Sequence, residues 1–511
     1  MEEVFFERSA LPNQGQAFQN FLRSYPLYLD TLVVDHIREQ EYPHLNERSQ
    51  VCLDYMGVGL FSYSQQASNS PSAALGLAYI SANLTTHALY TAEETEIMVR
   101  RRVLRYMNID ENEYAIVFTA NKLSAFKLLG ESYPFHVSSK LLLGYDHCCE
   151  SQDALIECAK SKGATVMNAN LTWPSLKLDK ADVKKKLHLK RKAPMPMDTQ
   201  GMMAYPVISC GSGAKNSLQW IREAGQNGWH VLLDVSGLGA KAMDTLGLNL
   251  FHPDFIVGSF YKVFGSDPTG FGCLVIKISV IRSLGDSSRA RAIGMTPSSV
   301  SAPCSPSYPR PRDVCENNPI TPESQGHNPS RMIVCGGLDV ADKIGLTRIN
   351  FRLRALVNWL ICSLRKLRHS TPGHPHVVVI YGPLCQSDRS STFTFNIAGS
   401  DGHLLDPALV QRLADRSSIS LGTSILQGSF TLEVDETSRG ISKPKKSEKS
   451  RDYKDTLHAG QFSVVCASLC FLSSFTDVYR LLEFVALFLD ADFVHKELFH
   501  YQALNQQTIL M

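Results

Sequence analysis

The chain has 511 residues, 44% of them hydrophobic and 20% charged, with a formal net charge of +2. That is enough apolar material for a large core and too much chain for one simple domain. A balance so near neutral gives no reason to expect nucleic acid or an anionic membrane as a partner. The 13 cysteines, odd in number and without paired metal-ligand spacing, suit a reducing cytosol better than a disulfide framework, so a cytoplasmic protein that binds no metal is expected.

In chain order, the opening residues 1–7 carry the wrong charge for a secretory or organellar signal. Residues 1–47 read as a lead-in of helical character, with Phe18, Phe21, Leu22 and Tyr25 at helical spacing. A large domain is expected over 48–282. Within it, strand-like apolar runs at 115–118, 140–143, 207–209, 231–234 and 255–257 alternate with amphipathic helical stretches. That alternation predicts an α/β fold with a mostly parallel sheet covered by helices. The basic run KKKLHLKRK (184–192) lacks interleaved aromatic residues and reads as a solvated loop rather than a nucleic-acid patch.

Residues 283–330, rich in Ser, Pro, Arg and Asn, predict a disordered insert. From 331 to 511 we expect a linker helix around 348–369 and a smaller α+β domain interrupted by a polar insert at 436–457. The weakly polar run 462–475 is too short to span a bilayer and predicts a core strand.

Two positions carry the chemistry. Lys262 follows the apolar run 255–257 in a turn bounded by Gly265, Gly270 and Gly272, an odd place for a residue that prefers water. Desolvation there lowers a lysine pKa, as a Schiff-base-forming lysine requires. Asp234 ends the run 231–234 and precedes Ser236 and Gly237. Alone it reads as a helix N-cap. Polar groups at the carboxyl ends of buried strands converge on one crevice, however, and an Asp with a Lys there is what pyridoxal phosphate needs. The lysine forms the aldimine and the carboxylate keeps the pyridine nitrogen protonated.

The run from Asp234 through SFYKVFGSDPTGFGCLVIK resembles the class V aminotransferase-type domain of the molybdenum cofactor sulfurases, in particular their plant sulfurase-like set. The resemblance extends through VCLDYMGVGLFSYSQ (51–65), EYAIVFTANKLSAFKLLGESYPF (113–135) and LLGYDHCCESQ (142–152). It continues in VVVIYGP (377–383), STFTFNI (391–397) and SSFTDVYRLLEFVALFLDADF (473–493). It implies the fold type I of pyridoxal-phosphate-dependent transferases, a homodimer, and a small amino-acid substrate such as cysteine.

It also implies that His147 stacks on the pyridine ring and moves protons, and that Ser259 and Tyr261 contact the cofactor phosphate. Thr119 and Ser124 flank the expected phosphate loop, where Lys122 adds a cation. A phosphate cradle and an ordinary helix cap fit that stretch equally well.

Three departures stand out. Gly237 replaces a glutamine of the related desulfurases, and Cys210 replaces an asparagine. The small-domain stretch 420–428, where relatives that move sulfur carry a mobile cysteine, holds no thiol. Since a hydroxyl cannot replace a persulfide-forming thiolate, three readings stay open. Sulfur could be carried by a relocated thiol, Cys210 or Cys148/Cys149. The chain could be a transaminase or lyase without sulfur transfer. It could also be a fold kept for binding alone. Arg348, Arg352 and Arg354, candidates for substrate recognition, read as helix-surface positions.

Overall fold

A computed structural model describes residues 4–47, 50–55, 63, 75–81, 94–188, 200–239, 241–242, 247–260, 271–285, 292–297, 336–432 and 460–509. Its main sheet has nine strands among these residues, in the order Leu75–Ser81, Ala292–Pro297, Tyr114–Thr119, Gly272–Lys277, Phe255–Ser259, Trp229–Asp234, Gly201–Pro206, Lys140–Leu143, Thr165–Asn168. The last five are mutually parallel. Gly272–Lys277 lies antiparallel between Phe255–Ser259 and Tyr114–Thr119, and Ala292–Pro297 also runs against its neighbours.

The strands are apolar on both faces because both faces are covered. Successive residues enter alternate cores. Val231, Leu233 and Ile256 join Val103, Trp220 and Ile221 of the helices Glu94–Tyr106 and Gln219–Gln226. Leu232, Phe255 and Val257 join Phe126, Leu129 and Leu155 of the helices Lys122–Ser132 and Glu150–Ser161.

The strand expected at 207–209 is instead Gly201–Pro206, every residue of it buried. Its Met202-Met203-Ala204 run lacks the β-branched signature of its neighbours. At its start the chains run so close that a Cβ on Gly201 would lie 2.1 Å from the Lys140 carbonyl oxygen.

A second sheet of four antiparallel strands has the order Val378–Tyr381, Thr392–Ile397, Gln461–Ser468, Gly422–Gln427. Its core takes in the helices Leu346–Arg365, Pro407–Arg416 and Phe475–Ala486. The N-terminal stretch holds the helices Gln14–Ser24 and Val33–Glu41, and its Ala17 and Phe21 belong to this same core.

The strand Ala292–Pro297 falls inside the insert that composition set at 283–330 and pairs with Leu75–Ser81; the described residues hold only 283–285 and 292–297 of that stretch. The polar insert 436–457 lies outside them altogether.

The helix-surface reading fails for Arg352. Its guanidinium is fully buried on Leu346–Arg365 and bonds Asp35, the Thr31 hydroxyl (3.2 Å) and the Ser473 carbonyl (2.9 Å), above the Tyr28 ring. Helical spacing could not show that the lead-in segment would cover this face. Among the described residues no helix is long and apolar enough to cross a membrane.

Candidate functional site

The parallel strands of the main sheet end at one edge, where an α/β fold gathers its polar groups. Asp234 ends its strand 1% exposed. Its carboxylate accepts from the Ser236 amide (3.0 Å) and hydroxyl (2.5 Å) and from the Tyr145 hydroxyl (3.3 Å), and the Lys122 ammonium stands 2.7 Å away. Burial alone would favour the neutral acid, but the Lys122 charge and the Ser236 bonds outweigh it and hold the carboxyl below its usual range. Lys122 is correspondingly pushed up against its own burial, chiefly by Asp234. Burial and the Asp234 charge raise Tyr145 far above the ordinary phenol range.

Lys122 opens the helix Lys122–Ser132, which follows the strand Tyr114–Thr119. Asn121 caps that helix by accepting from the Ser124 amide (2.8 Å) and hydroxyl (3.0 Å). Thr119 is buried and donates to the Asn121 carbonyl (2.9 Å). Of the two readings for this stretch, the helix cap is the one occupied. A sequence signal for Lys122 existed: a cation in a first helical turn opposes the helix dipole and calls for a local anion.

His147 follows the strand Lys140–Leu143 and is 6% exposed. Its Nδ1 lies 3.0 Å from Asp146 Oδ1, and the Ser209 and Ser212 hydroxyls donate to the Asp146 carboxylate. Burial disfavours the charged imidazole, yet hydrogen bonds to Asp146 and to the Cys149 thiol push His147 up to about 10. The Cys149 thiol, also opposed by burial, is brought down to about 7 by the His147 bond and the nearby Lys122 charge. Cys149 is half-buried at the N-cap of Glu150–Ser161. Sequence reading offered it as one of the relocated thiols Cys148/Cys149 but did not connect it with His147, which lies two residues away on a turn and not on a helix face.

Ser259 ends the strand Phe255–Ser259 opposite Gly272. Cys210 sits near Gly237, where a Cβ would come 3.4 Å from its Sγ. Tyr261 and Lys262 lie outside the described residues. The Phe260 amide donates to the Phe271 carbonyl (2.8 Å), just past the strand Phe255–Ser259 that pairs with the strand ending in Asp234.

No family model matches the chain. It is 24% identical over 491 residues to a molybdenum cofactor sulfurase of Solanum lycopersicum, covering 88% of this chain and 57% of that one. The Arabidopsis thaliana molybdenum cofactor sulfurase is 22% identical over 494 residues, with 88% and 58% covered. The apo cysteine desulfurase of Thermococcus onnurineus NA1 superposes with a TM-score of 0.54 at 16% identity, covering 88% of this chain and 96% of that one. The Escherichia coli cysteine desulfurase CsdA gives 0.53 at 16% identity, with 91% and 98% covered. The chain is thus similar in sequence to molybdenum cofactor sulfurases and shares the α/β fold of the cysteine desulfurases. It spans a little over half the length of these curated relatives.

The departures of this sulfurase-like chain have structural form. The stretch 420–428 is mostly the strand Gly422–Gln427, bonded along Gln461–Ser468. It also clamps the His147 segment: Cys148 donates its amide to the Ile425 carbonyl (3.0 Å), and Gln427 donates to the Asp146 carbonyl (2.8 Å). At Gly237 a Cβ would meet the Ile208 carbonyl oxygen at 2.3 Å, so the glutamine of the desulfurases has no room here. Among the described residues no group of three or more metal-ligating side chains comes together.

Proposed function

We propose that the crevice binds pyridoxal 5'-phosphate and acts on a small amino acid, cysteine or a close relative, with Lys262 as the covalent anchor. The observation that carries this reading is Asp234: an ionised carboxylate, buried at a strand end, that requires a cationic partner. The bound cofactor supplies an electron sink for reaction at the substrate α-carbon.

The residues fit the group on one condition. Asp234 offers the carboxylate for a protonated ring nitrogen, and His147 offers a buried imidazole close by. Thr119, Ser124, Ser259 and Tyr261 are the proposed phosphate contacts. Lys122, however, already holds the Asp234 oxygen. It must leave that oxygen, and its charge is then free for the phosphate.

In this scheme Asp234 orients the ring, Tyr145 donates to the Asp234 carboxylate, and His147 keeps a proton at Nδ1 toward Asp146. Cys210 occupies a position facing the same group. A homodimer in the cytoplasm belongs to the same proposal, as does the division into residues 48–282 and 331–511.

The Lys122–Asp234 pair also favours a second reading, a fold retained for binding with catalysis lost. The visible spectrum of purified protein, beside Lys262→Ala, separates the two. A cofactor band that is lost in the variant and shifted by L-cysteine supports the enzyme. A protein that stays colourless with added cofactor refutes it.

A further inference from the structure

We propose that Gln427 is a positioning residue for His147: it fastens the edge strand of the four-stranded sheet to the turn that carries the imidazole. The second sheet, and not the main sheet alone, then sets where the ring stands. The use of His147 rests on the reading of the crevice given above; its placement by Gln427 does not.

An edge strand has backbone N–H and C=O groups that its own sheet leaves without partners. Gly422–Gln427 is such an edge, bonded along one side to Gln461–Ser468. Residues 146–148 meet its other side, between the main-sheet strand Lys140–Leu143 and the helix Glu150–Ser161. His147 and Leu426 face each other there as an antiparallel bridge. Two bonds bracket the bridge, from the Cys148 amide to the Ile425 carbonyl (3.0 Å) and from the Gln427 amide to the Asp146 carbonyl (2.8 Å). Two backbone bonds gain little against the entropy of fixing a turn. Side chains complete the hold.

Gln427 uses its whole carboxamide for this. Its Nε2 donates to the His147 carbonyl (3.3 Å), and its Oε1 accepts from the Cys148 thiol (3.1 Å). Gln461, its cross-strand neighbour, donates to the same Oε1 (3.0 Å) and so fixes which way the amide points. The His147 carbonyl thus accepts from two amides, Gln427 of the second sheet and Gln152 (3.2 Å) of the helix Glu150–Ser161. Leu426 is fully buried, and a Cβ on Gly211 would lie 2.8 Å from His147 Cβ and 3.0 Å from Leu426 Cδ2. The loop that carries Ser209 and Ser212, the hydroxyls on Asp146, therefore packs against turn and strand together.

Gln427 bonds the backbone of His147 and not its ring, so it acts on the crevice only through that residue. A displacement of the second sheet is carried to the imidazole. The stretch where sulfur-moving relatives carry a mobile cysteine serves here to hold a histidine.

The test uses purified protein without added cofactor. NMR of isotope-labelled histidine follows the His147 Nδ1 proton held toward Asp146, and deuterium uptake follows the Cys148 and Gln427 amides. Gln427→Ala should remove or broaden the Nδ1 signal and speed exchange of both amides by about tenfold, with Lys140–Leu143 unchanged. Gln461→Ala should act in the same direction and more weakly, and it carries the test should Gln427→Ala fail to fold. Faster amide exchange with an unchanged Nδ1 signal would reduce Gln427 to a strand residue and overturn the proposal. Loss of the signal in Gln152→Ala but not in Gln427→Ala would overturn it too. A protein that stays colourless with pyridoxal phosphate, yet loses the signal in Gln427→Ala, separates failure of the cofactor reading from failure of this one.

Discussion

Lys122 and Asp234 form a buried ion pair, 2.7 Å between ammonium and carboxylate, at the carboxyl end of the strand Trp229–Asp234. The proposed cofactor needs the same carboxylate for its ring nitrogen. Lys122 would thus compete with that cofactor for a carboxylate whose buried charge it balances in this structure.

Removing the competitor should have opposite effects on the empty and filled protein. Lys122→Met leaves the Asp234 charge buried with only neutral donors, which costs about 3–5 kcal/mol for a broken buried pair. The cofactor-free variant should melt well below wild type. Added pyridoxal phosphate should raise its melting temperature more than it raises that of wild type, since no ammonium has to move. Equal cofactor shifts in the two proteins would show that Lys122 does not compete.

The Asp146–His147 pair predicts a pH window for stability. Asp146 lies below its ordinary value of 3.8 because the His147 and serine bonds outweigh burial, so its contribution is present above that value and is lost as pH falls through the folded pKa. His147 is raised from 6.5 to about 10, so its contribution is complete below 6.5 and is lost as pH climbs through about 10. The melting difference between wild type and Asp146→Asn should therefore be largest between about pH 4 and 6.5 and shrink on both sides. Thermal melts across pH check this, and a difference that stays flat to pH 10 would contradict the assignment.

The fold was legible where periodicity and burial agree. The strands ending at Thr119, Leu143, Asp234 and Ser259 stand out as apolar runs because a sheet covered on both faces demands them. Gly201–Pro206 did not, since its apolar residues are Met, Ala and Tyr and its glycine is there for close strand approach. Asp234 and His147 could be named from strand ends and resemblance. Lys122 could be named as a cation and Cys149 as a candidate thiol, but their partners, and the parts of Ser209 and Ser212, could not, because each reaches its partner through a turn or from a neighbouring strand's loop. Sequence spacing within one element holds no record of such contacts.

Arg352 is the clearest cost of reading a helix without its neighbours. Its guanidinium ties the lead-in Thr31 and Asp35 to the Ser473 turn across the C-terminal core. Arg352→Leu strands Asp35 and removes hydrogen bonds that no leucine replaces. We expect a loss of about 3–5 kcal/mol in denaturant unfolding. A loss under about 1 kcal/mol would show that the buried guanidinium contributes no more than an exposed ion pair does.

Gly237 connects packing to chemistry. A methyl group there would press at 2.3 Å on the Ile208 carbonyl oxygen, a backbone atom that cannot swing aside as a side chain can. The loop it would push carries Ser209 and Ser212, the hydroxyls that fix Asp146. Gly237→Ala should then destabilise by about 1–3 kcal/mol through overpacking, and Gly237→Gln by more. Both should also weaken the His147 Nδ1 proton signal, because a displaced Asp146 holds that proton less well. Thermal melts and histidine NMR on the same samples read the two effects together. If Gly237→Gln folds as wild type with an unmoved signal, the loop is free to yield, and the missing glutamine is then no consequence of crowding.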